Sequence, residues 1–152
     1  MELIKDKEIV TLCVRNEDDA LLVIQDSSPW FATLLEFIST AIGGVTGAIV
    51  FKNLPSKVFY KGESKEVALR SLLTELNISP IGIKFFSTVT QYRAWPTHVY
   101  VGVVKKIEVA PLQKNLKVVW IKKKMSPREA LNANFGLELS DLDIVNLVQS
   151  KS

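Results

Sequence analysis

Residues 62–78, Gly62-Glu63-Ser64-Lys65-Glu66-Val67-Ala68-Leu69-Arg70-Ser71-Leu72-Leu73-Thr74-Glu75-Leu76-Asn77-Ile78, carry start, face and stop signals for a single element, an amphipathic helix. Ser64 is placed as the N-cap, with Glu66 in the first turn where the helix dipole favours an anion. Val67, Leu69, Leu72, Leu73 and Leu76 recur at three- and four-residue spacing, which predicts one stripe facing a core. Asn77 stands where helices end in a left-handed residue, and Pro80 prevents continuation. The polar side carries Glu66 and Arg70 one turn apart, an ordinary surface pairing distance, followed by Ser71, Thr74 and Glu75.

This segment resembles the Nudix box, the loop-helix motif of Nudix hydrolases. The family pattern is a Gly-rich loop, a Gly-Glu pair, and a helix carrying Arg-Glu, a hydrophobic residue, any residue, and Glu-Glu before a closing Gly. Leu54-Pro55-Ser56-Lys57 stands where Leu-Pro-Gly-Gly is usual, and Gly62-Glu63-Ser64 matches the loop end. With one residue fewer than the family spacing after Glu63, Arg70 falls on the motif arginine and Glu75 on the last carboxylate. Ser71 and Thr74 occupy the other two helix carboxylate positions, and Asn77 replaces the closing glycine. A second stretch, Leu34-Leu35-Glu36-Phe37 followed by Gly43-Gly44, resembles the strand and glycines that precede some boxes, so two candidates exist for the loop.

The order of apolar segments agrees with the same family. Residues 11–15 and 20–25 read as two strands joined by an acidic turn at 16–19; residues 83–87, 98–104 and 117–121 read as further strands. A short helix is predicted at 126–131 and a closing helix at 141–148. The resemblance implies an α/β fold, a Nudix-like α/β/α sandwich with a mixed central sheet, spanning 1–152 as one domain. Its length of 152 residues and 47% apolar content are sufficient for one full core. The six prolines are spread along the chain and no repeat interrupts it.

Composition excludes several classes. The single Cys13 excludes an internal disulfide, and on a predicted strand it reads as a small buried hydrophobe. One cysteine and one histidine cannot form a structural zinc site. The first residues lack an apolar run of signal-peptide length, so a reducing, cytoplasmic setting is the expectation. From Phe31 to Phe51 the only charge is Glu36, a length approaching a membrane span. The Gly43-Gly44 pair and several hydroxyl residues divide this run into two short buried segments, so no membrane crossing is expected.

Nudix chemistry needs carboxylates that hold divalent cations against a pyrophosphate while water attacks phosphorus. The resemblance implies a nucleoside diphosphate derivative or other pyrophosphate-containing ligand beside the box helix. It assigns Glu63 and Glu75 as Mg2+ ligands, with Arg70 orienting the carboxylates. Neutral Ser71 and Thr74 weaken any dication site, so Mg2+-dependent hydrolysis is expected to be weak or lost. Glu66 and Glu75, nine residues apart, lie about 180° apart around an ideal helix and cannot share an ion. Acids that could replace the missing charge are Asp26, Glu36 and Glu138.

Two other features point to ligands. The 91–100 segment displays Tyr92, Arg93 and Trp95, which could stack a base and hold a phosphate; the alternative is a loop whose aromatics fold onto the sheet. His98, opening a strand, reads as a structural hydrogen bonder. Eight of the basic residues fall between Lys105 and Arg128, against the single acid Glu108. That bias, including Lys122, Lys123 and Lys124, gives an alternative function: a non-catalytic module binding RNA or a protein partner. Lysines that keep edge strands from aggregating give the same pattern. Nudix proteins are often dimers, and the apolar 31–51 segment could supply the interface of a homodimer.

Overall fold

The computed structural model describes residues 6–26, 52–122 and 139–151. Seven strands form one mixed sheet, β1 (Lys7–Arg15), β2 (Leu21–Asp26), β3 (Lys52–Asn53), β4 (Ser56–Tyr60), β5 (Ile83–Val89), β6 (Thr97–Val103) and β7 (Leu116–Ile121). Helix α1 (Lys65–Glu75) and helix α2 (Leu139–Lys151) complete the described elements, with a short 3-10 turn at Lys106–Glu108. The acidic turn between β1 and β2 is closed by Asn16, whose side-chain oxygen accepts from the backbone N–H groups of Asp18 and Ala20, leaving Asp19 at φ 62°.

The sheet is buried on both sides, and that explains the unbroken burial of β1 from Ile9 to Val14, apolar except for Thr11. Alternate residues of a strand face opposite ways. Val10, Leu12 and Val14 join Leu72, Leu73 and Leu76 of α1, while Cys13 joins Leu54, Ile144 and Val145 on the α2 side. Among the described residues each face of the sheet thus receives one helix, the α/β/α arrangement expected from the sequence. The short helix predicted at 126–131, the apolar 31–51 segment and the Gly43-Gly44 candidate loop lie outside the described residues. Among the described residues no helix is long and apolar enough to cross a membrane.

Helix α1 begins and ends as the sequence signals. The Ser64 Oγ accepts from the Val67 N–H at 3.4 Å and donates to Glu66 Oε2 at 2.9 Å. Backbone and Ser64 hydrogen bonds hold the exposed Glu66 carboxyl below its ordinary pKa. Glu66 thus turns back to the cap, and no ion pair links it to Arg70. At the other end Asn77 has φ 57°, the Ile78 N–H donates to the Leu73 carbonyl at 2.8 Å, and the Asn77 N–H donates to the Thr74 carbonyl. This is a Schellman ending in which asparagine does the work usually given to glycine. The buried stripe differs from the expected one: Ala68 faces the core, while Val67 is 64% exposed. Five residues separate Val67 from Leu72, about 140° around the helix, so the two cannot share a face.

Cys13 is buried, and burial pushes its thiol from 9.0 up to about 11, with Arg15 opposing and Asp141 adding to that rise. The native state therefore keeps the proton over a range where the unfolded chain loses it. The resulting stability is complete below pH 9 and is lost as pH rises from there through about 11. Urea midpoints measured from pH 8 to 11 should fall less steeply for Cys13→Val than for the wild type. Parallel curves would exclude a titrating buried thiol.

Candidate functional site

Strands β1 and β2 meet as a pair only at Arg15 and Leu21, beside their connecting turn, and then diverge. Strand β4 fills in along β1, with Ser56 opposite Thr11 and Lys57 opposite Val10, while β3 and β7 take up β2. The Leu54-Pro55 step crosses the fork. A cleft of about 420 Å³ opens there, walled by Leu72, Glu75 and Leu76 of α1, by residues 53–56 and Val58, and by Ile9, Ile24, Leu116, Arg93 and Asp141. The segment aligned with the box loop and the helix aligned with the box helix therefore border one cavity.

The floor of that cleft is a polar network built from residues distant in sequence. Asp141, in the first turn of α2 and fully buried, accepts from the Leu54 N–H at 3.0 Å and forms an ion pair with the Arg93 guanidinium. Arg93 Nη1 donates to Thr11 Oγ1 at 2.7 Å. Because the Ser56 hydroxyl donates to the Leu54 carbonyl (3.0 Å), the Thr11 hydroxyl must donate to Ser56 (2.8 Å). The chain Arg93–Thr11–Ser56–Leu54, together with Asp141, fixes both polar groups of Leu54. A backbone corner that crosses a diverging pair of strands has no ladder partner of its own, and this network supplies one.

On the α1 side, the Lys57 ammonium lies 2.6 Å from Glu75 Oε1, with about one-third of the lysine side chain exposed. Glu63 sits in the tight turn before α1, where Gly62 has φ 101° and the Glu63 N–H donates to the Tyr60 carbonyl. The eleven-residue helix between Glu63 and Glu75 rises about 15 Å along its axis, so the structure does not bring them together. Arg70 is exposed, about 140° around the helix from Glu75. Thr74 donates its hydroxyl proton to the Arg70 carbonyl at 2.9 Å. Among the described residues, no three His, Cys, Asp or Glu side chains gather to hold a metal ion. The two carboxylates that line the cleft, Glu75 and Asp141, are each closed by a cation, and Ser71 and Thr74 bring no charge, so this donor set does not fit Mg2+.

The other sequence-selected residues divide as follows. Of the 92–95 trio, Arg93 lines the cleft, Tyr92 packs against the α2-side core, and Trp95 receives the Lys7 ammonium over its ring at 5.1 Å. His98 is buried and bonded at both nitrogens, to Thr88 (2.7 Å) and to the Glu8 carboxylate on β1 (2.8 Å). Lys105, Lys106, Lys114, Lys117 and Lys122 are exposed, while Lys123 and Lys124 lie outside the described residues, as do Glu36 and Glu138. The Lys106 backbone N–H is held by the Glu17 carboxylate, and Lys122 shares a hollow with Asp18 and Asp19. Sequence reasoning did not select Asp141, Thr11, Ser56 or Lys57 as site residues. Only Lys57 carried a signal, a charged side chain where the box loop normally has glycine.

No family model and no curated protein matches the sequence. Solved structures do resemble the fold. A MutT structure from work on the Aliivibrio salmonicida and Vibrio cholerae proteins is 16% identical, with a TM-score of 0.62 over 97% of this chain and 100% of that one. The NUDIX domain of Shewanella oneidensis NrtR, complexed with ADP ribose, is 15% identical, with a TM-score of 0.62 over 98% and 90%. The C-terminal domain of mouse MUTYH, solved in complex with human PCNA, is 13% identical, with a TM-score of 0.59 over 97% and 90%. A helix on each face of a mixed sheet, a box-like loop and helix bordering one cleft, and this agreement over nearly the whole chain identify a protein with the Nudix fold.

Proposed function

We propose that this protein binds a nucleoside diphosphate derivative in the cleft between α1 and residues 53–58, with Mg2+-dependent pyrophosphate hydrolysis weak or lost. The observation that carries this reading is the cleft itself, bordered by the box-like loop and helix and, among the described residues, without a divalent-metal donor set. The NrtR domain, similar in fold, is complexed with ADP ribose. Asn53, Ser56 and Arg93 offer polar groups to such a ligand, and Leu72, Leu76 and Leu116 offer apolar wall. Glu63, Arg70 and Glu75 do not enter this reading as a catalytic group. A second reading, a module that binds a protein or RNA, draws on the exposed lysines between 105 and 122 and on the MUTYH domain's complex with PCNA.

A thermal-shift panel of nucleotides, with ADP-ribose and a short single-stranded RNA included, tests the two together. Ligand at about 100 times its Kd stabilises the native state by about 2.7 kcal/mol, which gives a clear rise in Tm. The expected result is a rise with a diphosphate ligand and little phosphate or mononucleotide release. Fast release with Mg2+ would overturn the loss of hydrolysis. A shift with RNA alone, weakening along a linear log-log salt plot, would replace the nucleotide reading by the second one.

A further inference from the structure

The charges around the cleft disagree with the divalent-cation requirement that the fold family implies. Glu75 is the only acid at the three helix carboxylate positions of the box, and the Lys57 ammonium already closes on it at 2.6 Å. A dication placed against the same carboxylate would face that ammonium at short range, where like charges repel strongly. Ser71 and Thr74 bring no compensating charge, and Glu63 stands a helix length away. Lys57 is meanwhile well held. Its backbone is paired with Val10 in the β1–β4 ladder, one pair in from the Thr11–Ser56 end, and its ammonium has two further N–H donors beyond the one given to Glu75.

We infer that Lys57, held at the edge of this cleft by its pairing with the lining residue Glu75, supplies a positive charge there in place of a divalent cation, and that Glu75 restrains it rather than holding a metal. Building on the nucleotide reading above, the diphosphate of the ligand binds without metal, in competition with Glu75 for the Lys57 ammonium. The sign of one substitution follows. In a metal-dependent site, neutralising Glu75 removes a ligand to the ion and weakens phosphate binding. Here it removes a negative charge from the cleft wall and frees the lysine, so binding tightens.

Titration calorimetry with ADP-ribose and with inorganic pyrophosphate, in EDTA and in Mg2+, distinguishes the two cases. The wild type is expected to bind with the same affinity in both buffers. Glu75→Gln should bind several-fold tighter, and Lys57→Met about tenfold weaker, the loss of one charge-assisted hydrogen bond. Glu75→Gln keeps shape on a partly exposed side chain, and matched circular-dichroism melts confirm that both variants fold; Lys57→Gln replaces Lys57→Met if that variant does not. Weaker binding by Glu75→Gln, or binding that appears only with Mg2+, overturns this inference and leaves the nucleotide reading standing. No binding of either probe in either buffer removes both.

Discussion

Asp141→Ala is expected to destabilise the protein by about 3–5 kcal/mol, because it strands the Arg93 guanidinium in the interior without its counter-charge. Asp141 is fully buried and the Arg93 side chain is only 13% exposed, so water replaces the carboxylate poorly. The Leu54 N–H loses its acceptor at the same time. For a chain of this size the loss corresponds to a fall in Tm of about 10 °C. Replacing both charges, as in Arg93→Met with Asp141→Leu, should cost clearly less than Asp141→Ala alone, since an apolar pair leaves nothing charged and unpaired. Urea and thermal melts of the wild type and the two variants measure this directly. A single-variant loss below about 1 kcal/mol would mean that the pair is solvated and does not anchor the 54–56 corner.

Leu72→Ala and Val67→Ala, five residues apart on one helix, should behave in opposite ways. Leu72 is 4% exposed and packs in the α1-side core as well as against the cleft. Its truncation removes buried methyl groups and leaves a cavity, at a cost of about 2–5 kcal/mol. Val67 is 64% exposed, and its replacement by the better helix former is expected to stay within about 0.5 kcal/mol of the wild type. Leu72→Ala should also weaken any cleft ligand, as it lines the same wall. Equal costs for the two variants would contradict the helix orientation.

The cleft joins these effects. The polar network that fixes Leu54 and the ion pair that fixes Lys57 flank the same short loop, residues 54–57, from its two sides. One side is held by an ion pair largely buried at the cleft floor, the other by a pair more open to solvent and to ligand. Substitutions at Asp141 should therefore appear mainly in stability, and substitutions at Lys57 mainly in binding.

Local sequence determined the elements. Ser64, Asn77 and Pro80 set the ends of α1, and Asn16 to Asp19 set the β1–β2 turn, because caps and turns are satisfied by side chains within a few residues of the backbone they serve. The apolar residues of β1 and the order of five of the seven described strands were legible for the same reason, since periodicity and turn residues act over short range; β3 and β4, on either side of Leu54-Pro55, were not read as strands. The stripe of α1 was legible except for Val67, which the helix turns about 140° away from Leu72, and Ala68, which faces the core instead. What only the tertiary structure decided is which charges meet. Lys57 and Glu75 are eighteen residues apart, and Arg93 and Asp141 forty-eight. Charge pairing acts through space at a few ångströms, and no local pattern in a sequence encodes it. Tertiary structure also separated Glu63 from Glu75, since a motif aligned by spacing carries no statement about the length of helix between its two ends.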